Sequence, residues 1–129
     1  MAGETILIVE DNELNLELAT DLLEAAGYVV RQARTAEEAI QAAKTTKPQL
    51  ILMDISLPGM DGLDATRALK ADPTTRQIPV LALTAHAMKG DEEKARAAGC
   101  TGYMTKPIDT RAFSTTVARL LASGSHEPG

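Results

Sequence analysis

The sequence predicts an α/β domain built on a parallel β-sheet, and two observations lead to this fold class. Short runs rich in strand-forming residues alternate five times with longer stretches whose apolar residues recur at helical spacing. The run Leu50–Met53 is apolar without a break, as expected of a central strand that is covered on both faces. With 129 residues, of which 44% are hydrophobic, the chain has room for one such domain.

The first strand and helix are predicted near the start of the chain. We expect a strand at about Thr5–Val9 and a helix at about Leu14–Ala26. Gly27 follows this helix and suits the left-handed conformation that often ends one. The buried face of the helix is predicted from the spacing of its larger apolar residues, which are Leu14, Leu18, Leu22 and Ala25 or Ala26.

The second strand and helix follow directly. The strand is predicted at Tyr28–Ala33, and Thr35 is predicted to cap a helix that runs to about Thr45. Glu38 lies three residues after Thr35, which is the spacing of a capping box. Pro48 separates this helix from the central strand.

The second half of the chain is predicted to contain three more strands, each followed by a helix. The predicted strands are Leu50–Met53, Pro79–Leu83 and Gly102–Thr105, and the helices are about Gly62–Ala71, about Lys89–Ala98, and from Asp109 or Thr110 to about Ala122. We expect the domain to span residues 1–122. Residues 123–129 contain turn formers and no apolar anchor, so we expect a mobile C-terminal tail.

Composition argues against several classes of function. The net charge is -5 and no segment carries a Lys/Arg cluster, so we expect no nucleic-acid partner. No apolar stretch approaches the roughly 20 residues that span a bilayer, and the N-terminus lacks signal-peptide features, so we expect a cytoplasmic protein without membrane contact. Cys100 is the only cysteine, which excludes an internal disulfide and a multi-thiolate metal site.

Functional polar groups follow four of the predicted strands. They are Glu10-Asp11, Asp54, Thr84 and Lys106-Pro107. Because the carboxyl ends of parallel strands line one crevice, we expect these side chains to converge there. Three neighbouring carboxylates repel one another unless a cation neutralises them, and Mg²⁺ prefers such hard oxygen ligands.

The same crevice suits phosphoryl chemistry. A carboxylate at the end of the central strand is a competent nucleophile for an acyl phosphate, and Asp54 is the best placed candidate. Lys106 and Thr84 can donate to the phosphoryl oxygens. Each residue also has an ordinary structural interpretation: Asp11 as a helix cap with Asn12, Asp54 as a turn residue, Thr84 as a strand-end hydroxyl, Lys106 as a solvated lysine. For each residue taken alone, the structural interpretation is favoured. It is unfavourable for the four together, because chance would have to place all these polar groups at the ends of four strands.

The residues around these positions resemble the receiver domain of two-component response regulators. The resemblance covers roughly Thr5 to Leu121 and is carried by the strings ILIVEDNELN, LILMDISLPGMDG, IPVLALTAHAMKGDEEKARAAGC and YMTKPI. It is strongest toward single-domain regulators of cell division. It implies a doubly wound, flavodoxin-like parallel sheet of strand order 2-1-3-4-5 with helices on both faces.

The resemblance also implies a role for each site residue. Asp54 corresponds to the phosphorylated aspartate and Lys106 to the phosphate-binding lysine, while Mg²⁺ is held by Glu10, Asp11, Asp54 and the backbone carbonyl of Ser56. Thr84 corresponds to the switch hydroxyl and Tyr103 to the switch aromatic. Candidate contacts on the readout face are Met88, Tyr103 and Phe113, although Phe113 is alternatively a core residue.

Partners follow from the same resemblance. We expect a histidine kinase or histidine phosphotransfer protein as phosphoryl donor and a downstream protein as target, with the chain itself a monomer or a weak phosphorylation-dependent dimer. Such a domain is not a conventional enzyme, since it catalyses only its own phosphorylation and dephosphorylation. Two alternatives stay open: an interaction module that works without phosphorylation, and a receiver cut from a hybrid histidine kinase.

Two further classes fit the sequence poorly. A haloacid-dehalogenase-type phosphatase needs Asp-x-Asp after its first strand, whereas this strand ends in Glu10-Asp11 and Asp54 is followed by Ile55-Ser56. A flavodoxin-like cofactor site needs Ser, Thr or Gly amides after the first strand to hold a phosphate. The acidic residues Glu10 and Asp11 would repel it.

Overall fold

The strands and helices alternate along the whole described chain. The computed structural model describes residues 3–55, 62–84, 91–105 and 110–125. Within these ranges the elements are β1 (Thr5–Val9), α1 (Glu13–Ala25), β2 (Val29–Ala33), α2 (Ala36–Thr46), β3 (Leu50–Asp54), α3 (Gly62–Ala71), β4 (Val80–Thr84), α4 (Asp91–Ala98), β5 (Gly102–Thr105) and α5 (Thr110–Ser125). The predicted alternation is confirmed.

The five strands form one parallel sheet of order β2-β1-β3-β4-β5, which confirms the predicted fold class. Two registers matter for the site. Val9 of β1 pairs with Met53 of β3, and Asp54 of β3 pairs with Leu83 of β4. The carboxyl ends of these three strands therefore lie at the same edge of the sheet.

Both faces of the sheet are covered, because neighbouring residues of each central strand enter opposite cores. Ile6 and Ile8 pack with buried side chains of α1 and α5, whereas Leu7 and Val9 pack with those of α2, α3 and α4. All five residues of β3 are buried. This explains the unbroken apolar run of β3, since a strand covered on both faces has no polar side. Among the described helices, none is long and apolar enough to cross a membrane.

Most predicted boundaries agree with the structure within about two residues. Gly27 and Gly99, which follow α1 and α4, have φ angles of 98° and 111°, a left-handed backbone that confirms both predicted helix ends. The capping box at Thr35 is only half formed: Thr35 Oγ1 accepts from Glu38 N at 3.1 Å, but Glu38 Oε1 accepts from Arg34 N. The last helix continues to Ser125, three residues beyond the predicted end at Ala122.

The predicted buried face of α1 is wrong at Leu14 and Leu18, whereas Leu22 is partly buried and packs against the core. Leu14 is 75% exposed and Leu18 is 47% exposed. The residues of α1 that are buried are Leu16, Ala19 and Leu23. These three also recur at helical spacing, so the sequence of α1 contains two candidate stripes. The stripe with the small Ala19 at its centre faces the sheet.

Candidate phosphoacceptor site

Three carboxylates meet at the carboxyl edge of the sheet. Each of Glu10, Asp11 and Asp54 offers a carboxylate oxygen, and these oxygens all lie within 4.8 Å of one another. Glu10 and Asp54 are each 3% exposed, while Asp11 is exposed. The cluster is thus exposed at Asp11 and buried at Glu10 and Asp54, so a small ion or group can reach it from the Asp11 side.

Strand register brings these residues together. Val9 pairs with Met53, so the residue that follows each of them, Glu10 directly after β1 and Asp54 at the end of β3, lies beside the other. The backbone N–H of Glu10 still donates to Ala33 O of β2 at 3.0 Å, which holds the start of the loop in line with the sheet. The convergence predicted from the strand ends is observed for all three carboxylates.

Asn12 supports the cluster, although the sequence suggested it only as a helix cap together with Asp11. Its backbone N–H donates to Glu10 Oε2 at 3.1 Å, and its side-chain Oδ1 accepts from Asn15 N at 3.0 Å. Asn12 is therefore the N-cap of α1, and the Asp11 carboxylate lies in the cluster instead of capping the helix. The strong preference of Asn for this position was the available signal.

Thr84 lies at the same edge of the sheet. It is the last residue of β4, is 2% exposed, and follows Leu83, the residue that pairs with Asp54. Its own partner on β5 is Thr105. A hydroxyl at this point of the adjacent strand is well situated to act on a group attached to Asp54.

The candidate residues of the readout face fare differently. Tyr103 is partly buried and packs against the core cluster beneath α3 and α4. Phe113 is fully buried in the other core, with α1 and α5, so its assignment to a contact surface is wrong and the alternative, a core residue, is observed. Phe113 is the largest fully buried side chain of the described residues. Ser56, Met88 and Lys106 lie outside the described residues.

The donor set of the cluster fits a hard divalent cation. All three groups are carboxylates, two of them buried, and no histidine or cysteine among the described residues belongs to the cluster. Mg²⁺ is held in proteins by one or two carboxylates together with waters and phosphate oxygens, whereas softer metals select imidazole or thiolate. The chemistry of these residues therefore matches Mg²⁺ binding next to a phosphoryl group.

A five-stranded parallel sheet with a carboxylate cluster at the carboxyl ends of its strands is typical of one class of protein, the receiver domains. The chain matches the response regulator receiver domain family over residues 6–118 and belongs to that family. Among its relatives is the polar-differentiation response regulator DivK of Brucella anthropi, which is 49% identical over 118 residues, covering 92% of this chain and 96% of the relative. DivK of Brucella ovis is equally similar, at 49% identity over 118 residues. The protein is a receiver domain of the DivK-like response regulators.

Solved structures agree with this assignment. The receiver domain of a sensor histidine kinase from Pseudomonas aeruginosa PAO1, crystallised with a magnesium ion in its active-site cleft, has a TM-score of 0.87 at 36% identity and covers 94% of this chain and 99% of its own. A putative response regulator from Chloroflexus aurantiacus has a TM-score of 0.89 at 32% identity, covering 93% of this chain and 98% of its own. Both similarities extend over nearly the whole domain.

Proposed function

We propose that Asp54 accepts a phosphoryl group from a phosphohistidine of a histidine kinase or phosphotransfer protein, in a reaction that requires Mg²⁺. The observation that carries the proposal is the cluster of Glu10, Asp11 and Asp54 at the end of β1 and β3. Family membership and the magnesium-bound receiver domain of the Pseudomonas aeruginosa kinase support the same chemistry.

The proposed transfer uses the Asp54 carboxylate as nucleophile. One carboxylate oxygen forms a bond to phosphorus while the bond between phosphorus and the imidazole nitrogen of the donor breaks, and its electron pair stays on the imidazole. Bound Mg²⁺ would neutralise charge on the phosphoryl oxygens. Glu10, Asp11, Asp54 and the carbonyl of Ser56 would hold the ion, and Lys106 would donate to a phosphoryl oxygen.

The proposed output is a change of protein contacts. A phosphoryl group adds about -1.5 to -2 charges and three acceptor oxygens. Thr84, one residue beyond the partner of Asp54, would donate its hydroxyl to the phosphoryl group, and Tyr103 would move into the space that Thr84 leaves. The segment containing Met88 would respond to this change and present a new surface to a downstream partner.

The exposed face of α1 supports a protein donor in preference to a small molecule. Leu14 and Leu18 lie one helical turn apart on the helix that begins directly after Asp11, and both are exposed. Apolar side chains clustered beside a site are typical of protein contact surfaces. A donor domain that packs on this turn of α1 would bring its phosphohistidine close to the acidic cluster.

Intact-mass spectrometry tests the proposal. The protein is incubated with acetyl phosphate in the presence and absence of Mg²⁺, next to the variants Asp54→Asn and Asp64→Asn. Asp64 is an exposed carboxylate on α3 that pairs with Arg67 at 2.9 Å, so it is a matched control for removal of one acidic group.

We expect a single phosphoryl adduct, dependent on Mg²⁺, on the wild type and on Asp64→Asn, and none on Asp54→Asn. An unmodified wild type with intact folding would contradict the proposal. It would favour the alternative of an interaction module that works without phosphorylation. An adduct that persists in Asp54→Asn would place the acceptor elsewhere.

A further inference from the structure

The first residue of α3 rests directly on the backbone of the proposed phosphoacceptor. A Cβ atom built on Gly62 would lie 2.7 Å from Ile55 Cα and 2.9 Å from the carbonyl carbon of Asp54, and closer still to the Asp54 carbonyl oxygen. The obstacle is backbone, which cannot rotate away as the end of a side chain can. Gly62 is therefore required by space: only a residue without a side chain lets α3 begin at this point.

The contact is braced from the other side of Gly62. Thr66, one turn further along α3, is fully buried, and its Oγ1 donates to Gly62 O at 2.8 Å. Thr66 Oγ1 also accepts a hydrogen bond from Cys100 Sγ at 3.8 Å. Cys100 lies just before β5, so the first turn of α3 is held between the end of β3 and the start of β5.

The consequence concerns the position of one carboxylate. Asp54 is the last residue of β3, and the backbone N–H of the next residue, Ile55, donates to Leu83 O of β4 at 3.0 Å. A shift of Gly62 would push the Asp54 backbone and move its carboxylate relative to Glu10 and Asp11. Phosphoryl transfer is sensitive to such shifts, because a misplacement of 1 Å can cost about 10²-fold in rate.

We infer that Gly62 is a positioning residue for phosphoryl transfer to Asp54, with Thr66 as the buried brace that holds it in place. The inference rests on the proposed function, since it presupposes that Asp54 is the acceptor. It assigns a rate effect to Gly62, which lies against the backbone of Asp54 and Ile55, and to Thr66, which acts through its hydrogen bond to Gly62 O.

Two glycines of the same fold provide a matched test. Gly99 lies near the other end of α3, where a Cβ would be 2.6 Å from Lys70 Cγ, and its φ of 111° makes alanine unfavourable there as well. Both Gly62→Ala and Gly99→Ala are therefore expected to lower stability, but only the first pushes on the Asp54 backbone. Thr66→Val removes the hydroxyl that donates to Gly62 O, and Thr66→Ser keeps it.

The measurement is the rate of adduct formation with acetyl phosphate as a function of its concentration, at saturating Mg²⁺ and corrected for the folded fraction by circular dichroism. We expect the maximal rate of Gly62→Ala to fall about 10²-fold, with a smaller change in the acetyl phosphate concentration at half-maximal rate. Gly99→Ala and Thr66→Ser should stay within about threefold of the wild type, and Thr66→Val should fall between the two groups.

The possible failures are distinguishable. If Gly62→Ala and Gly99→Ala react at the same corrected rate, the inference is wrong although the proposed function stands. If Gly62→Ala does not fold, equal rates for Thr66→Val and Thr66→Ser overturn the inference, and a slower Thr66→Val supports it. If the wild type itself forms no adduct, the proposed function fails and the inference fails with it.

Discussion

The two helices that begin nearest the acidic cluster, α1 and α3, are built in opposite ways. The first residues of α1 are exposed, with Asn12 as a conventional cap and Leu14 turned to solvent. The first residue of α3, Gly62, is buried against the backbone of β3. One helix therefore presents a surface next to the site, and the other packs against the strand that carries Asp54, the proposed acceptor.

The C-terminal end of α3 carries buried polar groups that have a structural role, in contrast to the carboxylates of the site. Lys70 donates from Nζ to Arg76 O at 2.9 Å and to Ile78 O at 2.6 Å, and Thr75 Oγ1 donates to Leu69 O at 2.7 Å. These contacts tie α3 to the segment that leads into β4. Buried polar groups with complete hydrogen bonds stabilise a fold, whereas three adjacent carboxylates indicate a function.

The largest effect on stability is expected within α1. Leu16 is 2% exposed and belongs to the core with α5, so Leu16→Ala should cost about 2–5 kcal/mol in the free energy of unfolding. Leu14→Ala removes the same atoms from a side chain that is 75% exposed and should change stability by less than about 0.5 kcal/mol. Urea unfolding of both variants measures the difference. A cost for Leu14→Ala close to that of Leu16→Ala would contradict the assignment of the two faces.

These residues also show where sequence reasoning about α1 and α3 ends. The bounds of α3 were predictable, because turn-forming residues precede and follow it. The convergence of Glu10, Asp11 and Asp54 was predictable from the geometry of parallel sheets. The buried face of α1 was not, since size alone favoured Leu14 over Ala19, while close packing on the sheet favours the small residue.

Tertiary contacts explain the remaining differences. The contact of Gly62 with the β3 backbone depends on how closely α3 approaches β3, and no local sequence pattern determines that distance. Phe113 could be assigned to core or surface from the sequence, and only the packing of α5 against the sheet decides for the core. The roles of Ser56, Met88 and Lys106 stay predictions.

A smaller effect is expected at the far end of α3. Lys70→Met removes the donor of two hydrogen bonds to backbone carbonyls and should lower stability by about 1–3 kcal/mol. Lys44→Met is the matched control, because Lys44 makes a partly exposed ion pair with Asp72 at 3.6 Å, worth at most about 1 kcal/mol. Both variants should form the phosphoryl adduct at the wild-type rate. A large loss of that rate in Lys70→Met would show that the two ends of α3 are not independent.

The smallest expected effect is the pH dependence that the buried thiol of Cys100 adds. Burial raises the pKa of Cys100 above its ordinary value of 9.0, so the thiol stays protonated in the folded state at a pH where the unfolded chain ionises. Its contribution to stability is present below about pH 9 and is lost as pH rises from there through the folded-state pKa. One such group can add a slope of at most about 1.4 kcal/mol per pH unit.

The titration of Lys70 changes stability with pH in the opposite direction to that of Cys100. A variant is therefore needed to separate the two contributions. Burial lowers the pKa of Lys70 below 10.5, so its unfavourable contribution is relieved as pH rises toward that value. Urea unfolding of the wild type and of Cys100→Ala between about pH 8 and pH 10 measures the contribution of the thiol together with its interaction with Lys70, because each group also shifts the pKa of the other. The stability of the wild type should fall more steeply with pH than that of Cys100→Ala. Parallel curves would mean that the thiol ionises in the folded protein as readily as in the unfolded chain, and that the core beneath α3 admits water.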